Sequence, residues 1–166
     1  MKKGFTLVEL LVSITIIGIL ASIGLSTFTS AQMKSRDAKR KVHLKQLADS
    51  FEAYYNDHGQ YPDDTDIFWG NSFVDPDNPG TVYMVKLPAD PTQGLNYDYL
   101  PEATARKSFQ IYARLENTKD IDIPKNAQGA SLIYTDAAVN CGTLKCNYGK
   151  SSGNVSVSDG RTINYE

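Results

Sequence analysis

Between Phe5 and Phe28 the chain runs for 24 residues, FTLVELLVSITIIGILASIGLSTF, with one charged side chain, Glu9. No other stretch of the 166 residues restricts the fold as strongly. At about 1.5 Å per residue, a helix of this length is roughly 36 Å long, enough to cross a bilayer. Lys2, Lys3 and Gly4 come immediately before it. A secretory signal has a shorter apolar region, of about 7–15 residues, and is cut after it. Here the glycine that could mark a cleavage stands before the apolar run. A cut between Gly4 and Phe5 would remove the basic leader and leave the apolar helix at the new N-terminus.

Glu9 has to be accounted for, because a carboxylate near the midplane of a membrane costs a few kcal/mol. One reading places it near the helix end, reaching the headgroups and favoured by the positive end of the helix dipole. The other pairs it with a positive group inside a protein assembly. Ser13, Thr15, Gly18, Ser22, Gly24 and Ser26 interrupt the aliphatic residues, and small residues let membrane helices pack closely.

The run Lys2-Lys3-Gly4-Phe5-Thr6-Leu7-Val8-Glu9-Leu10-Leu11-Val12 resembles the type IV pilin superfamily of type IV pilins, type II secretion pseudopilins and competence pseudopilins. The resemblance implies cleavage between Gly4 and Phe5 and N-methylation of Phe5 by a prepilin peptidase. It implies a homo-oligomeric helical filament built by an assembly motor and platform proteins, in which Glu9 meets the Phe5 amine of a neighbouring subunit. It places the chain as a single pass in the cytoplasmic (inner) membrane before assembly and in an extracytoplasmic or cell-surface filament afterwards. Many type IV pilins carry a proline one or two turns beyond the position of Gly18; this chain has none before Pro62.

From Ala31 the helix is expected to continue into water, where Val42, Leu44, Leu47, Phe51, Tyr54 and Tyr55 form an apolar stripe at helical spacing. Gly59 is the expected C′ residue, with Pro62 three residues on. Residues 5–58 would make a helix of about 80 Å. Between 62 and 80, Ile67, Phe68, Trp69 and Phe73 stand among Asp, Pro, Gly and Asn, the pattern of a long loop pinned by aromatics. Strands are expected at 81–87, 95–100, 108–115, 131–135, 154–157 and 161–165. The fold class is α+β, a long helix packed against a small antiparallel sheet. The division expected is a leader over residues 1–4, a transmembrane and assembly helix over 5–30, and a soluble head over 31–166. LPADPTQGLNYDYLP followed by FQIYARLEN resembles the Asp-Pro turn and tyrosine-bearing strands of major pseudopilins.

The formal net charge of −2 becomes −4 in side chains once Lys2 and Lys3 are removed, so net charge points to no nucleic-acid partner. Lys34, Arg36, Lys39, Arg40, Lys41 and Lys45 cluster beyond the apolar run against Asp37 alone. A solvated face or contact with lipid headgroups is the favoured reading, ahead of pairing with acidic surfaces of neighbouring subunits and of DNA binding. Six basic residues after the span also argue, by the positive-inside rule, for a cytoplasmic C-terminus. The leader motif is the more specific signal and is preferred.

Cys141 and Cys146 would form a disulfide in a translocated domain and stay reduced in the cytosol. Glu116, Asn117, Asp120 and Asp122 offer oxygen ligands, but not in the spacing of an EF-hand loop; an acidic solvated turn is expected. Gly149-Lys150-Ser151 lacks the glycine five residues earlier that a phosphate loop needs, since that position is Leu144. Asn154-Val155-Ser156 fits a glycosylation sequon, though a plain strand is favoured. His43 and His58 have no metal-ligating residue at ligand spacing and are expected at the surface. Neither a catalytic constellation nor a cofactor motif is present, so no enzyme is expected. The function expected is therefore a structural subunit of a pilus or pseudopilus. The alternative is a membrane-anchored extracytoplasmic binding or enzymatic domain that forms no filament.

Overall fold

A computed structural model describes residues 4–166 apart from the side chains of Ile23 and Ser26; Lys2 and Lys3 of the expected leader lie outside the described residues. One helix, α1, spans Leu7–His58. The chain forms two compact units, one ending at Ser35 and one spanning Arg36–Glu166, and α1 contributes to both. The fold class is α+β, as expected.

In the first unit, α1 starts where Thr6 leaves helical geometry and closes a capping arrangement with Glu9. The Glu9 backbone N–H donates to Thr6 Oγ1 at 3.2 Å, and the Thr6 backbone N–H donates to Glu9 Oε2 at 2.8 Å. Two of the orphan donors of a helix start are thereby satisfied. The hydroxyls of Ser13 and Thr15 donate to the carbonyls of Glu9 and Leu11, four residues back, so neither needs water.

In the second unit, Leu44, Leu47, Phe51 and Tyr54 are buried, at the helical spacing the sequence predicts. Val42 departs from it: it is half exposed, and the buried stripe begins one turn earlier with Asp37 and Arg40 instead. The helix stops at Gly59, whose φ of +67° lies in the left-handed region and whose N–H donates to the Tyr55 carbonyl.

Seven short strands follow: β1 (Phe73–Val74), β2 (Val82–Met84), β3 (Asp98–Pro101), β4 (Phe109–Ala113), β5 (Leu132–Tyr134), β6 (Tyr148–Ser151) and β7 (Ile163–Tyr165). They form three antiparallel sheets, β1-β2, β3-β4-β6 and β5-β7. Every residue of β4 is buried, because its two faces serve two cores. Phe109, Ile111 and Ala113 face the helix residues, with Tyr97 and Tyr99 beside them. Tyr112 faces a second core made with Leu132, Tyr134, Val139 and the Cys141–Cys146 disulfide, whose sulfurs are 2.00 Å apart. Phe51 is the centre of the first core, with ring centroids 4.5 Å from Tyr99, 5.6 Å from Phe73 and 5.7 Å from Phe109.

Three local expectations are corrected. The stretch 62–80 is not all loop: a 3₁₀ turn at Asp64–Asp66 and strand β1 lie within it, and Phe68 is mostly exposed rather than pinned. Residues 154–157 form a turn, because the carbonyls of Ser156, Val157 and Asp159 all converge on the Gln110 side-chain amide. A strand would point successive carbonyls in opposite directions. The strand is instead β6, and Gly149 is required there: a Cβ at that position would stand 2.7 Å from the Ile111 carbonyl and 2.5 Å from Val157. The triplet Gly149-Lys150-Ser151 is therefore sheet backbone and not a phosphate cradle.

Candidate assembly site

The Gly4–Phe5 bond lies in exposed, non-helical backbone ahead of α1. Nothing in the first unit stands within 4 Å of a Cβ built on Gly4, and the Phe5 side chain is 87% exposed. From Leu7 to Leu20 every side chain is exposed, including Leu10, Ile14, Ile17 and Leu20. The helix is long and apolar enough to cross a membrane, and none of its most apolar stretch is buried within the chain. Glu9 is the single acidic group there. Its Oε2 takes hydrogen bonds from both the N–H and the hydroxyl of Thr6, at 2.8 and 2.7 Å. Beside the headgroups and the neighbour's amine expected from the sequence, Glu9 therefore has a local partner in Thr6. The signal was present, since Thr-x-x-Glu before an apolar run is a capping box.

In the second unit three members of the basic cluster pair with the head of the same chain, which overturns the reading as a solvated or lipid-facing surface for Arg40, while Arg36 and Lys41 stay partly exposed. Arg40 is fully buried. Its Nε and Nη2 grip both oxygens of Asp90 at 2.8 Å, Nη1 reaches Asp37 at 2.6 Å, and Nη2 also donates to Thr92 at 2.7 Å. Burial alone would lower the Arg40 pKa; the hydrogen bonds to Asp90 and Glu116 outweigh it and hold the guanidinium charged. Asp37 is buried too, and its two oxygens accept the backbone N–H groups of Glu116 and Asn117. Arg36 forms a two-point pair with Glu116, holding its carboxyl at about 2, well below the usual range. Lys41 Nζ sits between Asp120 and Asp122, 2.6 Å from each. The acidic turn at 116–122 is partly solvated, as expected, with Ile121 and Asp122 exposed, but its carboxylates are not free. Its carboxylates already hold the cations of α1.

His43 is half-buried and hydrogen-bonded to the Tyr97 hydroxyl at 2.8 Å, and its burial lowers its pKa. His58 stacks on Tyr54 at 4.2 Å and faces Asp75 and Asp77. The surface placement expected for both is corrected. Asn154 is exposed and its side-chain amide donates to the Lys107 carbonyl.

Residues 1–25 match the family described as the prokaryotic N-terminal methylation motif. Over 136 residues the chain is 36% identical to the type IV major pilin protein PilA of Myxococcus xanthus, covering 82% of this chain and 50% of that protein. It is 29% identical over 147 residues to the type IV major fimbrial protein FimA of Dichelobacter nodosus, covering 86% and 90% of the two chains. It is also 29% identical over 118 residues to the type II secretion system core protein G of Pseudomonas aeruginosa, covering 68% and 82%. The chain thus spans about half the length of the Myxococcus relative and most of the other two. No solved structure matches it.

Proposed function

From a chain that belongs to the type IV pilin and pseudopilin superfamily, we propose a structural subunit of a type IV pilus or pseudopilus, not an enzyme. A prepilin peptidase removes residues 1–4 and methylates the Phe5 amine. The mature chain then waits in the cytoplasmic membrane, with the head on the far side, until a motor and platform proteins draw it into a helical filament. In that filament the apolar helices form the core and the heads the coat.

One observation carries the reading: an apolar helix exposed on every face, whose only charge stands one turn from the proposed mature N-terminus. Lipid covers such a helix before assembly and other copies of it cover it afterwards. A plain membrane anchor needs Glu9 only as a cap on Thr6, a role an uncharged glutamine would also serve, which disfavours the membrane-anchored binding or enzymatic domain. Within the filament, Glu9 pairs with the Phe5 amine of the neighbouring subunit. Mass spectrometry of the mature protein, paired with electron microscopy of sheared cell-surface material, tests this. The expected mature chain begins at Phe5 and is one methyl group heavier, and it is found in filaments. A mature N-terminus beyond residue 28 would refute the assignment.

A further inference from the structure

At the C-terminal end of α1 the head gathers negative charge that it does not neutralise. His58 is the last residue of the helix. Asp57 precedes it, and Asp75 and Asp77 approach from the segment that follows β1. Among the described residues no lysine or arginine pairs with any of these three carboxylates; their one cationic neighbour is the His58 imidazole, which is charged only when protonated. Tyr83 has a single hydroxyl hydrogen, yet its oxygen lies 2.9 Å from Asp57 Oδ2 and 3.1 Å from Asp75 Oδ2, so one of the two carboxylates goes without it. The partial negative charge of the helix end adds to the same field.

The donor atoms are already grouped. His58 Nε2 is 3.2 Å from Asp75 Oδ2; Asp77 Oδ2 stands 3.7 Å from the other ring nitrogen, Nδ1, so an ion on Nε2 takes Asp77 by a turn of its exposed side chain. One donor atom from each of the three residues lies within 4.8 Å of the others. Ligands at about 2.0–2.2 Å from a tetrahedral zinc ion stand roughly 3.3–3.6 Å apart. The imidazole is held in place by stacking on Tyr54 at 4.2 Å. Asp75 is held by backbone N–H groups of Asp77 and Asn78 on its other oxygen. Most telling is Nε2 itself: it is buried and has no hydrogen-bond partner, since its approach to Asp75 lacks hydrogen-bond geometry. A buried ring nitrogen left unpaired among carboxylates is a cost that a metal ion would remove.

We propose that His58, Asp75 and Asp77 form a binding site for a divalent transition cation of the zinc type. One imidazole with two carboxylates is a mixed nitrogen and oxygen donor set, suited to zinc and its neighbours rather than to calcium or magnesium. Three protein ligands leave the fourth position to water. The ion ties the end of α1 to the loop between β1 and β2, across 17 residues of sequence, which is why spacing along the chain does not reveal it. The site is independent of filament formation.

Calorimetric titration of the untagged full chain in detergent with zinc chloride tests it. The expected result is one zinc per chain, reversed by a chelator. Asp77→Asn should weaken binding at least tenfold and His58→Gln at least a hundredfold. The Asp77 side chain is 86% exposed, so its replacement leaves the fold intact and keeps the test valid even if loss of the His58 stack disturbs the helix end. Zinc should also raise the melting temperature of the wild-type chain and leave that of Asp77→Asn nearly unmoved. Absence of one-to-one binding, or an affinity unchanged within twofold in Asp77→Asn, overturns the proposal.

Discussion

Arg40→Ala should be the most damaging of the basic-cluster substitutions, and Arg36→Ala among the mildest, although both residues pair with carboxylates of the head. Arg40 is fully buried and makes four side-chain hydrogen bonds, two of them to an Asp90 whose own side chain is 0% exposed. Its removal strands the Asp90 carboxylate in the interior and takes one partner from Asp37. Breaking a buried pair from one side costs about 3–5 kcal/mol. Arg36 is 34% exposed on its side chain, and the pair it makes is open to water; such a pair is worth about 1 kcal/mol or less. Against a total stability of about 5–15 kcal/mol, the first loss is a large fraction and the second a small one. Urea unfolding of the full chain in detergent, followed by near-ultraviolet circular dichroism of the tyrosine-rich core, reads the difference. With a slope of about 1.5 kcal/mol per molar urea, Arg40→Ala should lower the midpoint by about 2 M or more and Arg36→Ala by about 0.7 M or less. The double variant Arg40→Met, Asp90→Leu should recover much of the loss, because the Asp90 carboxylate goes with its partner and Asp37 keeps the N–H groups of Glu116 and Asn117. Equal midpoints for the two single variants would refute the reasoning.

Glu9→Gln should retain the capping arrangement with Thr6, since glutamine serves that role, yet lose the charge. The chain should still insert and be cleaved, and filaments should be absent on electron microscopy; normal filaments would reduce Glu9 to a cap. A chain beginning at Gln32 should be a soluble monomer with a cooperative thermal transition, because Leu44, Leu47, Phe51 and Tyr54 find their partners within Arg36–Glu166; an aggregating product would mean that this core needs the apolar helix. Stability should fall in acid. The folded-state pKa of Glu116 is lowered from 4.5 to about 2, chiefly by the Arg36 hydrogen bond, so its contribution is complete above about pH 4.5 and lost as pH falls toward 2. Glu116→Gln should flatten that part of a stability-against-pH curve, and an unchanged slope would remove Glu116 from the account.

The helix, its stop at Gly59 and its buried aliphatic and aromatic stripe were legible because they rest on periodicity and on the special backbone freedom of glycine. Five of the six expected strands overlap observed ones for the same kind of reason. Strand β6 was not legible: Tyr148-Gly149-Lys150-Ser151 alternates nothing, and what places it is the close approach of Gly149 to β4. The ion network was misread for a different reason. Charged residues on a helix are solvated far more often than buried, and Arg40 differs from Lys39 in sequence by nothing that points to Asp90, 50 residues on. Spacing along the chain shows no partner for His58, because its neighbours in space come from the segment after β1. Thr6 is the one omission that a closer reading of the sequence would have repaired.

The placement of the ions along α1 suggests why the head tolerates them. Buried ion pairs are weak sources of stability, and replacing them by apolar groups is often neutral. An apolar stripe, however, has a defect as a guide to packing. Leu44, Leu47, Phe51 and Tyr54 repeat at three- and four-residue intervals, so sliding the helix by one turn would still set apolar side chains against apolar side chains. The same slide would carry Arg40 about 5.4 Å from Asp90 and Asp37 an equal distance from the N–H groups of Glu116 and Asn117. Each of those groups would then be buried without its partner, at several kcal/mol apiece. The ions thus penalise the wrong registers more than they favour the right one. That accounts for an arginine and two aspartates standing where aliphatic residues would pack, and it is why Arg40→Met, Asp90→Leu, Asp37→Leu should remain folded while losing the sharp, single set of resonances that a fixed register gives.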